Sequence, residues 1–413
     1  MQSSSNLPQE LLDKIIDDIH DEKEILKHCA LTSRCLLHCS QSHLFSSIRL
    51  SNDTLVHRLH DVLTDNPIIS KHVHELELNP RHWIISSETS LVPLLRMFTS
   101  LKSLKVAAPG HVHLTWNSEI PQMTTNAIMY LLNLPSFIIF EVFMMLNVPL
   151  GLFTVRQHMK SLRFKNVTFA PFVGSDIPEM TAEQLRLNMW HAEFCVDQHS
   201  VALLTRPGAL FAQIEVLIIE RPKHGPRLVS QIFNASAHSL RTIELCSIFE
   251  DRLVDPRGSY PIFDFGSMPN LSHVILRATI SNSTPSVFKL EYDTALTDFR
   301  HFLSANCSVA RIPRLTFAIR GVHYNRLAAP LWPLSILPML NLFSQWAVID
   351  RVLDQCRGTM KTPFCLEIML DMYGRIPLDE VHGSQAAWVS GVSSQMPLTS
   401  KKGELVCKIT RSP

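Results

Sequence analysis

Apolar residues near the start of the chain recur at helical spacing. Leu11, Ile15 and Ile19 lie four residues apart, and Leu12 and Ile16 lie beside them. This spacing places an apolar stripe along one face of a helix. Two further short helical patterns follow at once, and three short helices in about forty residues cannot bury both of their faces by themselves. The pattern therefore predicts a small helical module that needs a partner.

A fourth helix is predicted directly after this module. Ser51-Asn52-Asp53 is a cluster of residues that favour helix starts. Apolar residues at helical spacing then run from Leu55 to Leu63, and Asn66-Pro67 ends the pattern. We interpret this segment as a helix that links the module to the rest of the chain.

Beyond the fourth helix, a motif of the form apolar-x-x-apolar-x-apolar recurs, and its last three positions alternate as in a strand. Its copies are Val73-Leu76-Leu78, Leu101-Leu104-Val106, Met159-Leu162-Phe164, Ile214-Leu217-Ile219, Leu240-Ile243-Leu245, Leu271-Val274-Leu276 and Ile312-Leu315-Phe317, with weaker ones at Leu134-Phe137-Ile139 and Ala182-Leu185-Leu187. The copies are about 23 to 41 residues apart, which is the period of leucine-rich repeats loosened by insertions. Because each copy can bury its apolar face only against its neighbours, we expect the copies to stack into a curved solenoid.

Composition is consistent with a globular chain and excludes several partners. Apolar residues make up 46% and charged residues 18% of the chain, which predicts large cores rather than disorder. Lys and Arg number 38 against 37 Asp and Glu, for a net charge of +1. Since the basic residues are also scattered along the repeats, we expect neither nucleic acid nor an anionic membrane as a partner.

Two apolar stretches raise the question of a membrane helix. Pro135 and Glu141 interrupt the stretch Ala127 to Phe153, and three prolines interrupt Leu327 to Leu353. A charge or a proline is costly in a lipid-facing helix. We therefore predict a buried helix followed by a strand in the first stretch, and no membrane span in either. Met1 to Gln9 lacks the pattern of a secretory signal.

The nine cysteines are an odd number without tight pairing. This favours reduced thiols, mostly in the core, and a cytoplasmic or nuclear protein. Cys29, Cys35 and Cys39 lie near histidines, but none has the paired spacing of a structural zinc site. The pairs His72-x-His74 and His111-x-His113 supply two ligands each, which make no site without a third. The sequence therefore predicts no metal.

Catalytic motifs are absent from the sequence. It contains no Gly-x-Ser-x-Gly elbow, Walker loop, Gly-x-Gly-x-x-Gly or His-Glu-x-x-His motif. Only 13 glycines are present, which leaves few for phosphate-binding loops. We expect a protein that is not an enzyme, has no catalytic residue and binds no cofactor.

The N-terminal module resembles a known family. The runs LPQELLDKIIDDI, ILKHCALTSRCLL and SHLFSSIRL are similar in order and spacing to the F-box of the large fungal set of F-box-like proteins. The resemblance covers about a tenth of the chain. Two tryptophans common in the family are missing here: Cys35 and Leu36 replace the first, and Phe45 replaces the second.

The resemblance implies a partner and a set of contact residues. In the family the three helices dock on a Skp-type linker, which binds a cullin. Carried over to this chain, the linker-binding residues are Leu7, Pro8, Leu11, Leu12, Ile15, Ile16, Leu31, Ser33 and Arg34.

The repeats predict a second surface. Strand residues between the buried positions are expected to face the concave side of the solenoid, where a protein substrate would bind. The charged candidates for substrate binding are Glu75, Glu77, Lys105, Arg163, Arg186, Glu220, Glu244, Arg277 and Arg314.

Together these patterns predict an α+β or α/β solenoid, with an N-terminal three-helix F-box followed by an irregular leucine-rich-repeat horseshoe. The expected divisions are an F-box-like domain (1–50), a linking helix (51–70), a repeat domain (71–370) and a C-terminal cap or tail (371–413). Within the C-terminal segment, Gly383-Ser384-Gln385 is interpreted as a turn and Leu405 to Ile409 as a last strand. The predicted function is that of a substrate-recognition adaptor of a Skp–cullin–F-box (SCF) ubiquitin ligase. The alternative is a non-ligase interaction protein whose N-terminal helices only cap the solenoid.

Overall fold

The computed structural model describes residues 7–81, 83–86, 88–109, 112–153, 159–170, 185–190, 205–206, 209–220, 226–246, 263–281, 285–322, 345–358, 363–373 and 378–412. The chain forms two compact units. The first contains the described residues before the strand Leu185–Trp190, and the second contains the described residues from Phe211 onward. Both units have an α/β architecture. The predicted division into four parts stays a prediction.

The first unit begins with the three predicted helices. They are α1 (Gln9–Asp18), α2 (Lys23–Thr32) and α3 (Arg34–Leu44), followed by strand β1 (Ser47–Leu50) and the predicted linking helix α4 (Asp53–Asp65). Both α1 and α2 pack against α3. A 3₁₀ helix, Pro67–His72, then leads into the repeats.

Local capping explains where two of these helices begin. The Ser33 hydroxyl accepts a hydrogen bond from the Cys35 backbone N–H at 3.3 Å, and the Asn52 side-chain oxygen Oδ1 accepts one from the Leu55 backbone N–H at 2.9 Å. Both bonds satisfy N–H groups that a helix leaves unpaired in its first turn.

The rest of the first unit alternates strands and helices. The strands are β2 (Glu75–Leu78), β3 (Ser103–Ala107), β4 (Leu114–Thr115), β5 (Ile139–Phe143), β6 (Met145–Leu146) and β7 (Ser161–Lys165). The helices are α5 (Trp83–Ser86), α6 (Glu88–Met97), α7 (Trp116–Glu119), α8 (Gln122–Leu132) and the 3₁₀ helix Leu150–Phe153. Strands β1, β2, β3, β5 and β7 pair in that order, all in parallel. Helices α4, α6 and α8 pack side by side in the same unit.

The second unit repeats this design. Strand β8 (Leu185–Trp190) is followed by β9 (Ile214–Glu220), β10 (Thr242–Cys246), β11 (His273–Ser281), β12 (Arg314–Val322), β13 (Cys365–Tyr373) and β14 (Leu405–Ser412). The helices are α9 (Pro226–Ser236), α10 (Pro285–Ala305), α11 (Gln345–Arg357), α12 (Leu378–Gln395) and α13 (Pro397–Lys401), with 3₁₀ helices at Leu210–Gln213, Phe265–Ser267 and Cys307–Arg311. Strands β9 to β14 pair consecutively and in parallel.

The repeat motif occupies equivalent places on successive strands. Its central residue is in register with the next copy in the pairs Leu76 with Leu104, Leu217 with Ile243, Ile243 with Val274, and Val274 with Leu315. These residues are all buried. Since a parallel strand joined by helical crossovers buries one face under those helices, the motif marks the core side of each sheet.

One weak copy was placed in the wrong register. The sequence predicts Leu134-Phe137-Ile139, but the strand begins at Ile139 and the buried positions are Phe137, Phe140 and Val142. Pairing with β3 decides this, because Phe140 lies opposite Leu104. The copy at Ala182 lies partly outside the described residues. Its strand, β8, is present, and Leu187 is buried.

Five strands were not among the predicted copies, namely the two-residue strands β4 and β6 and the longer strands β1, β13 and β14. In β1, Phe45, Ile48 and Leu50 fit the motif, and Ile48 lies opposite Leu76. The sheet therefore starts within the segment assigned to the F-box-like module. Strand β13 was missed because Pro363 takes the first apolar position. Strand β14 fulfils the expectation of a last strand at Leu405 to Ile409.

The predicted turn at Gly383-Ser384-Gln385 is wrong, because these residues lie inside α12. The side chain of Gln385 joins α12 to the backbone of β14. Its side-chain amide donates to Cys407 O and its carbonyl accepts from Ile409 N–H, both at 2.8 Å. Gln385 thus pairs backbone groups on the side of β14 away from β13, which an edge strand would otherwise leave open.

The apolar stretch from Ala127 forms helix α8 and then strand β5, as predicted. Ala127, Ile128 and Leu131 are buried inside the first unit. Among the residues that the structure describes, no helix combines the length and the apolar character needed to cross a bilayer.

Candidate protein-docking surface

The first helix has a packed side and an open apolar side. Leu11 and Ile15 are 49% and 51% exposed, and Leu7, just before the helix, is 54% exposed. Ile16 is only 1% exposed, and Leu12 is half-buried. Because positions four apart share one side of a helix, α1 packs into the module through Leu12 and Ile16 and leaves the stripe Leu7, Leu11 and Ile15 in solvent.

A polar ladder joins α1 to α3. Its contacts recur every four residues on both helices: Gln9 Nε2 donates to Cys35 O at 2.8 Å, Cys39 Sγ lies 3.8 Å from Asp13 O, and His43 Nε2 lies 2.7 Å from Asp17 Oδ1. These contacts orient α1 on α3 in a module that has few fully buried apolar side chains. The ladder therefore fixes which side of α1 remains exposed.

The junction between α2 and α3 is also open. Leu31 is 86% exposed and Ile25, on α2, is 47% exposed. Arg34 is exposed at the start of α3, whereas Ser33 is half-buried and caps that helix. Ile25 was not among the predicted contact residues, although its apolar character next to buried Leu26 is visible in the sequence.

Exposed apolar side chains are concentrated in this module. Of the fourteen large apolar side chains that are exposed among the described residues, five lie between Leu7 and Leu31. Scattered single cases need no explanation, but a concentration of this kind marks an interaction surface. The five residues are Leu7, Leu11, Ile15, Ile25 and Leu31.

The predicted linker-binding residues thus fall into two groups. Exposed to solvent are Leu7, Pro8, Leu11, Ile15, Leu31 and Arg34, while Leu12, Ser33 and Ile16 are half-buried or buried. Ile16 and Ser33 act inside the module, in packing and in capping respectively.

Three of the predicted substrate-binding residues, Glu77, Lys105 and Arg163, belong to a row of alternating charge in the first unit. Arg49, Glu77, Lys105, Glu141 and Arg163 lie opposite one another on five successive strands. Glu77 pairs with Arg49 at 3.5 Å and with Lys105 at 3.4 Å, and Arg163 contacts Glu141 at 2.6 Å. Opposite charges on neighbouring strands stabilise a sheet by about 0.2–1 kcal/mol per pair.

In the second unit, the polar side of the strands carries a denser network of ion pairs. Arg277 contacts Glu244 and lies 4.0 Å from Asp371, which also contacts Arg320 at 3.2 Å. Glu367 accepts from Arg314, Thr316 and Lys408. The carboxylates are the deeper members, and the cations are the more exposed ones.

The pKa values of Glu367 and His273 in this network are both lower than their ordinary values. Burial raises the pKa of Glu367, but hydrogen bonds from Lys408, Arg314 and Thr316 outweigh it and lower the pKa to about 2. Burial and the Arg314 charge lower the pKa of His273. At neutral pH Glu367 is therefore ionised, and the neutral form of His273 is favoured.

The remaining predicted substrate-binding residues are Glu75, Arg186 and Glu220. Glu75 on β2 and Arg186 on β8 are exposed. Glu220 belongs to β9, but its side chain lies outside the described residues. Arg163 and Arg314 are each 48% exposed although both are paired, so they remain accessible to a partner.

Two findings concern residues considered as metal ligands or thiols. Asp17, Cys39 and His43 place one ligand atom each within 4.8 Å of one another, a triad that the sequence did not indicate because Asp17 is on another helix. Burial and the nearby Asp17 and Asp13 carboxylates raise the pKa of the Cys39 thiol to about 11.

In the His-x-His pairs, His74 contacts the His72 carbonyl at 2.6 Å, and His111 lies outside the described residues.

Two of the cysteines that were expected to be reduced thiols are paired in the structure. Cys307 and Cys356 form a disulfide with a Cα–Cα distance of 5.0 Å. They are 49 residues apart in the sequence, so only the packing of α11 against the 3₁₀ helix Cys307–Arg311 brings them together. The described cysteines outside this disulfide are Cys29, Cys35, Cys39, Cys246, Cys365 and Cys407.

Comparisons with known proteins add no family assignment. No protein-family model matches the chain, and no curated protein matches its sequence.

Proposed function

We propose that this chain is a substrate-recognition adaptor of an SCF-type ubiquitin ligase. The helices α1 to α3 form an F-box-like module that docks on a Skp-type linker, and through it on a cullin. The two α/β units form an irregular leucine-rich-repeat domain that binds a protein substrate. In this role the chain positions the substrate in the cytoplasm or nucleus, and partner enzymes perform the chemistry.

The exposed stripe Leu7, Leu11 and Ile15 carries this proposal. An α1 helix that served only to cap the chain's own repeats would bury this stripe against them, yet the described repeats leave it about half exposed. Completing the burial of three such side chains contributes roughly 2–4 kcal/mol at about 25 cal/mol per Å². That is sufficient for these residues to act as anchors in an interface.

The order of the elements supports the same proposal. The three helices resemble the F-box and lead into β1, the first strand of a parallel sheet. In each of the two units, the polar side of the strands carries predicted substrate-binding residues. Among them Arg163 and Arg314 combine a fixed position in an ion pair with high exposure, as a specificity contact requires.

Substitutions in α1 test whether the stripe Leu7, Leu11 and Ile15 binds the linker. A purified Skp-type linker is titrated with the full chain, and the affinities of three variants are compared by calorimetry. We expect Leu11→Ala with Ile15→Ala to weaken binding at least tenfold, because two exposed anchors are removed, with little change in the free energy of unfolding. Ile68→Ala is the matched control, since Ile68 is 60% exposed outside the module and should leave binding unchanged.

Ile16→Ala separates docking from folding. It removes a buried side chain, so we expect it to lower the free energy of unfolding by about 2–4 kcal/mol, while the molecules that remain folded bind the linker with nearly normal affinity. Absence of a complex with the wild-type chain would reject the adaptor proposal and favour a non-ligase interaction protein. Undiminished binding by the Leu11 and Ile15 double variant would reject the assigned docking stripe.

A further inference from the structure

The last rung of the polar ladder between α1 and α3 gathers three different metal-ligating groups. Asp17 Oδ1 lies 2.7 Å from His43 Nε2 and 3.8 Å from Cys39 Sγ. Cys39 and His43 are four residues apart, so α3 presents both on one side. All three ligand atoms lie within 4.8 Å of one another.

The donor set and the spacing fit one class of ion. A thiolate, an imidazole and a carboxylate are the three groups that bind Zn²⁺ in proteins, whereas a thiolate is foreign to Mg²⁺ and Ca²⁺ sites. In a tetrahedral zinc site with bonds of about 2.0–2.3 Å, ligand atoms lie about 3.3–3.6 Å apart. The distance from Asp17 Oδ1 to His43 Nε2 is shorter than this range, and the distance to Cys39 Sγ is longer. Shifts of less than 1 Å would therefore bring the Asp17 oxygen to the spacing that zinc ligands have.

We propose that Asp17, Cys39 and His43 form a zinc site in which water takes the fourth position. The ion replaces the hydrogen-bonded rung and joins α1 directly to α3. This proposal is independent of linker binding, because it rests on the side of α1 that faces away from the docking stripe.

Helical geometry separates the two surfaces. At 100° per residue, Asp17 is about 200° from Ile15 around α1 along the path through Ile16, which leaves about 160° along the shorter path. Ile16 lies between them and is buried. A zinc ion at Asp17 would therefore leave Leu11 and Ile15 free.

A bound metal ion would also stabilise the small module formed by α1, α2 and α3. Domains of about forty residues rarely bury enough apolar surface to be stable without a metal, a disulfide or a partner. Each of α1, α2 and α3 has a single fully buried residue: Ile16, Leu26 and Ser40. A metal that binds only the folded arrangement stabilises it by mass action.

Cobalt substitution tests the site on the full-length protein. Co²⁺ bound to a thiolate gives a charge-transfer band in the near ultraviolet, so the protein is stripped with a chelator, titrated with Co²⁺ and then with Zn²⁺. We expect a saturable band for the wild-type chain that Zn²⁺ displaces. Cys39→Ser should abolish the band, and Cys35→Ser, which removes an exposed thiol of the same helix, should leave it intact.

A second readout uses the thiols directly. With Zn²⁺ present, alkylation of Cys39 should slow at least tenfold, while alkylation of Cys35 should proceed at an unchanged rate, as followed by mass spectrometry. His43→Gln keeps the thiol and should weaken Zn²⁺ binding by about tenfold or more, as loss of even a supporting group does at metal sites. Circular dichroism without metal establishes that each variant is folded.

Three results would overturn the site. They are the absence of a cobalt band in the wild-type chain, a band that survives Cys39→Ser, and equal protection of Cys35 and Cys39 by zinc. None of these outcomes involves the linker, so failure of the zinc site leaves the adaptor proposal standing, and the reverse also holds.

Discussion

At the residue scale, Glu367 shows how a charge is held inside a parallel sheet. Its side chain is 3% exposed. It accepts from Arg314 Nη2 at 2.6 Å, from Lys408 Nζ at 2.7 Å and from Thr316 Oγ1 at 3.0 Å. These donors come from the strands on both sides of β13. A buried carboxylate that lost them would be strongly destabilising, because its desolvation would be uncompensated.

Replacing Glu367 should therefore lower stability in a pH-dependent way. Glu367→Gln removes the charge but keeps the shape, and we expect a loss of about 2–4 kcal/mol in the free energy of unfolding at pH 7. The pKa of Glu367 in the folded chain is about 2, below its ordinary value of 4.5. The stabilisation is thus complete above about pH 4.5 and is lost as the pH falls toward 2.

Urea unfolding of both proteins between pH 2 and 7 checks this prediction. The difference in unfolding free energy should shrink to near zero at the acidic end. Glu75→Gln is the control, since Glu75 is exposed on β2 and should change stability by no more than about 0.5 kcal/mol. A difference between Glu367→Gln and the wild type that is constant over the whole pH range would contradict the ion-pair account.

At the element scale, the register of β5 decides which of two adjacent side chains supports the core. Phe140 is fully buried opposite Leu104, whereas Ile139 is half-buried on the polar side. A shift by an odd number of residues would exchange these positions. The two possible registers of β5 therefore predict opposite rankings for the loss of stability caused by mutating Phe140 and Ile139.

We expect Phe140→Ala to destabilise the first unit by about 3–5 kcal/mol and Ile139→Ala to cost about 1 kcal/mol or less. Thermal unfolding of the two variants against the wild type measures both. Val142→Ala should rank with Phe140→Ala, because Val142 lies on the same buried side. A larger cost for Ile139→Ala than for Phe140→Ala would show that the register first predicted from the sequence is the correct one.

The sequence was sufficient where the decisive contacts are local. The α1 pattern predicted its helix because apolar positions four apart specify it without any other part of the chain. The β5 segment fits the repeat motif at both Leu134 and Phe137, and only pairing with β3 selects between them. The Gly383 segment reads as a turn by composition, but packing of Trp388, which is fully buried, favours the helix.

In the candidate sites too, the sequence predicted the local features and missed the long-range contacts. Leu11 and Ile15 were predicted as contacts, and the structure leaves them exposed. The ion pairs of Arg163 and Arg314, and the zinc triad, could not be predicted, since each joins residues 22 or more positions apart. Such contacts depend on strand register and helix packing, which a single sequence does not reveal.

At the scale of the whole molecule, the disulfide ties together one of the two units. Cys307 follows α10 and Cys356 lies at the end of α11, and both belong to the second unit. A cross-link over 49 residues restricts the unfolded chain and stabilises the folded unit by about 2–4 kcal/mol. Multidomain chains often unfold in separate steps, so the effect should be confined to that unit.

We therefore expect Cys307→Ser to lower the stability of the second unit by about 2–4 kcal/mol in oxidising buffer. Hydrogen exchange followed by mass spectrometry separates the units, and peptides of β2 and β3 should exchange at unchanged rates. As a control, the wild-type chain is measured with a reductant, and the stability of its second unit should then equal that of the variant. Free alkylation of Cys307 and Cys356 without reductant would contradict the bond.

The disulfide also bears on the compartment in which the protein works. Disulfides are rare in the reducing cytosol and nucleus, which is where a ligase adaptor would act. In that compartment the reduced form of Cys307 and Cys356 would prevail, and the second unit would have its lower stability. If the adaptor proposal holds, protein isolated under conditions that preserve cellular thiols should carry both cysteines reduced, and measured substrate affinities should be those of the reduced chain.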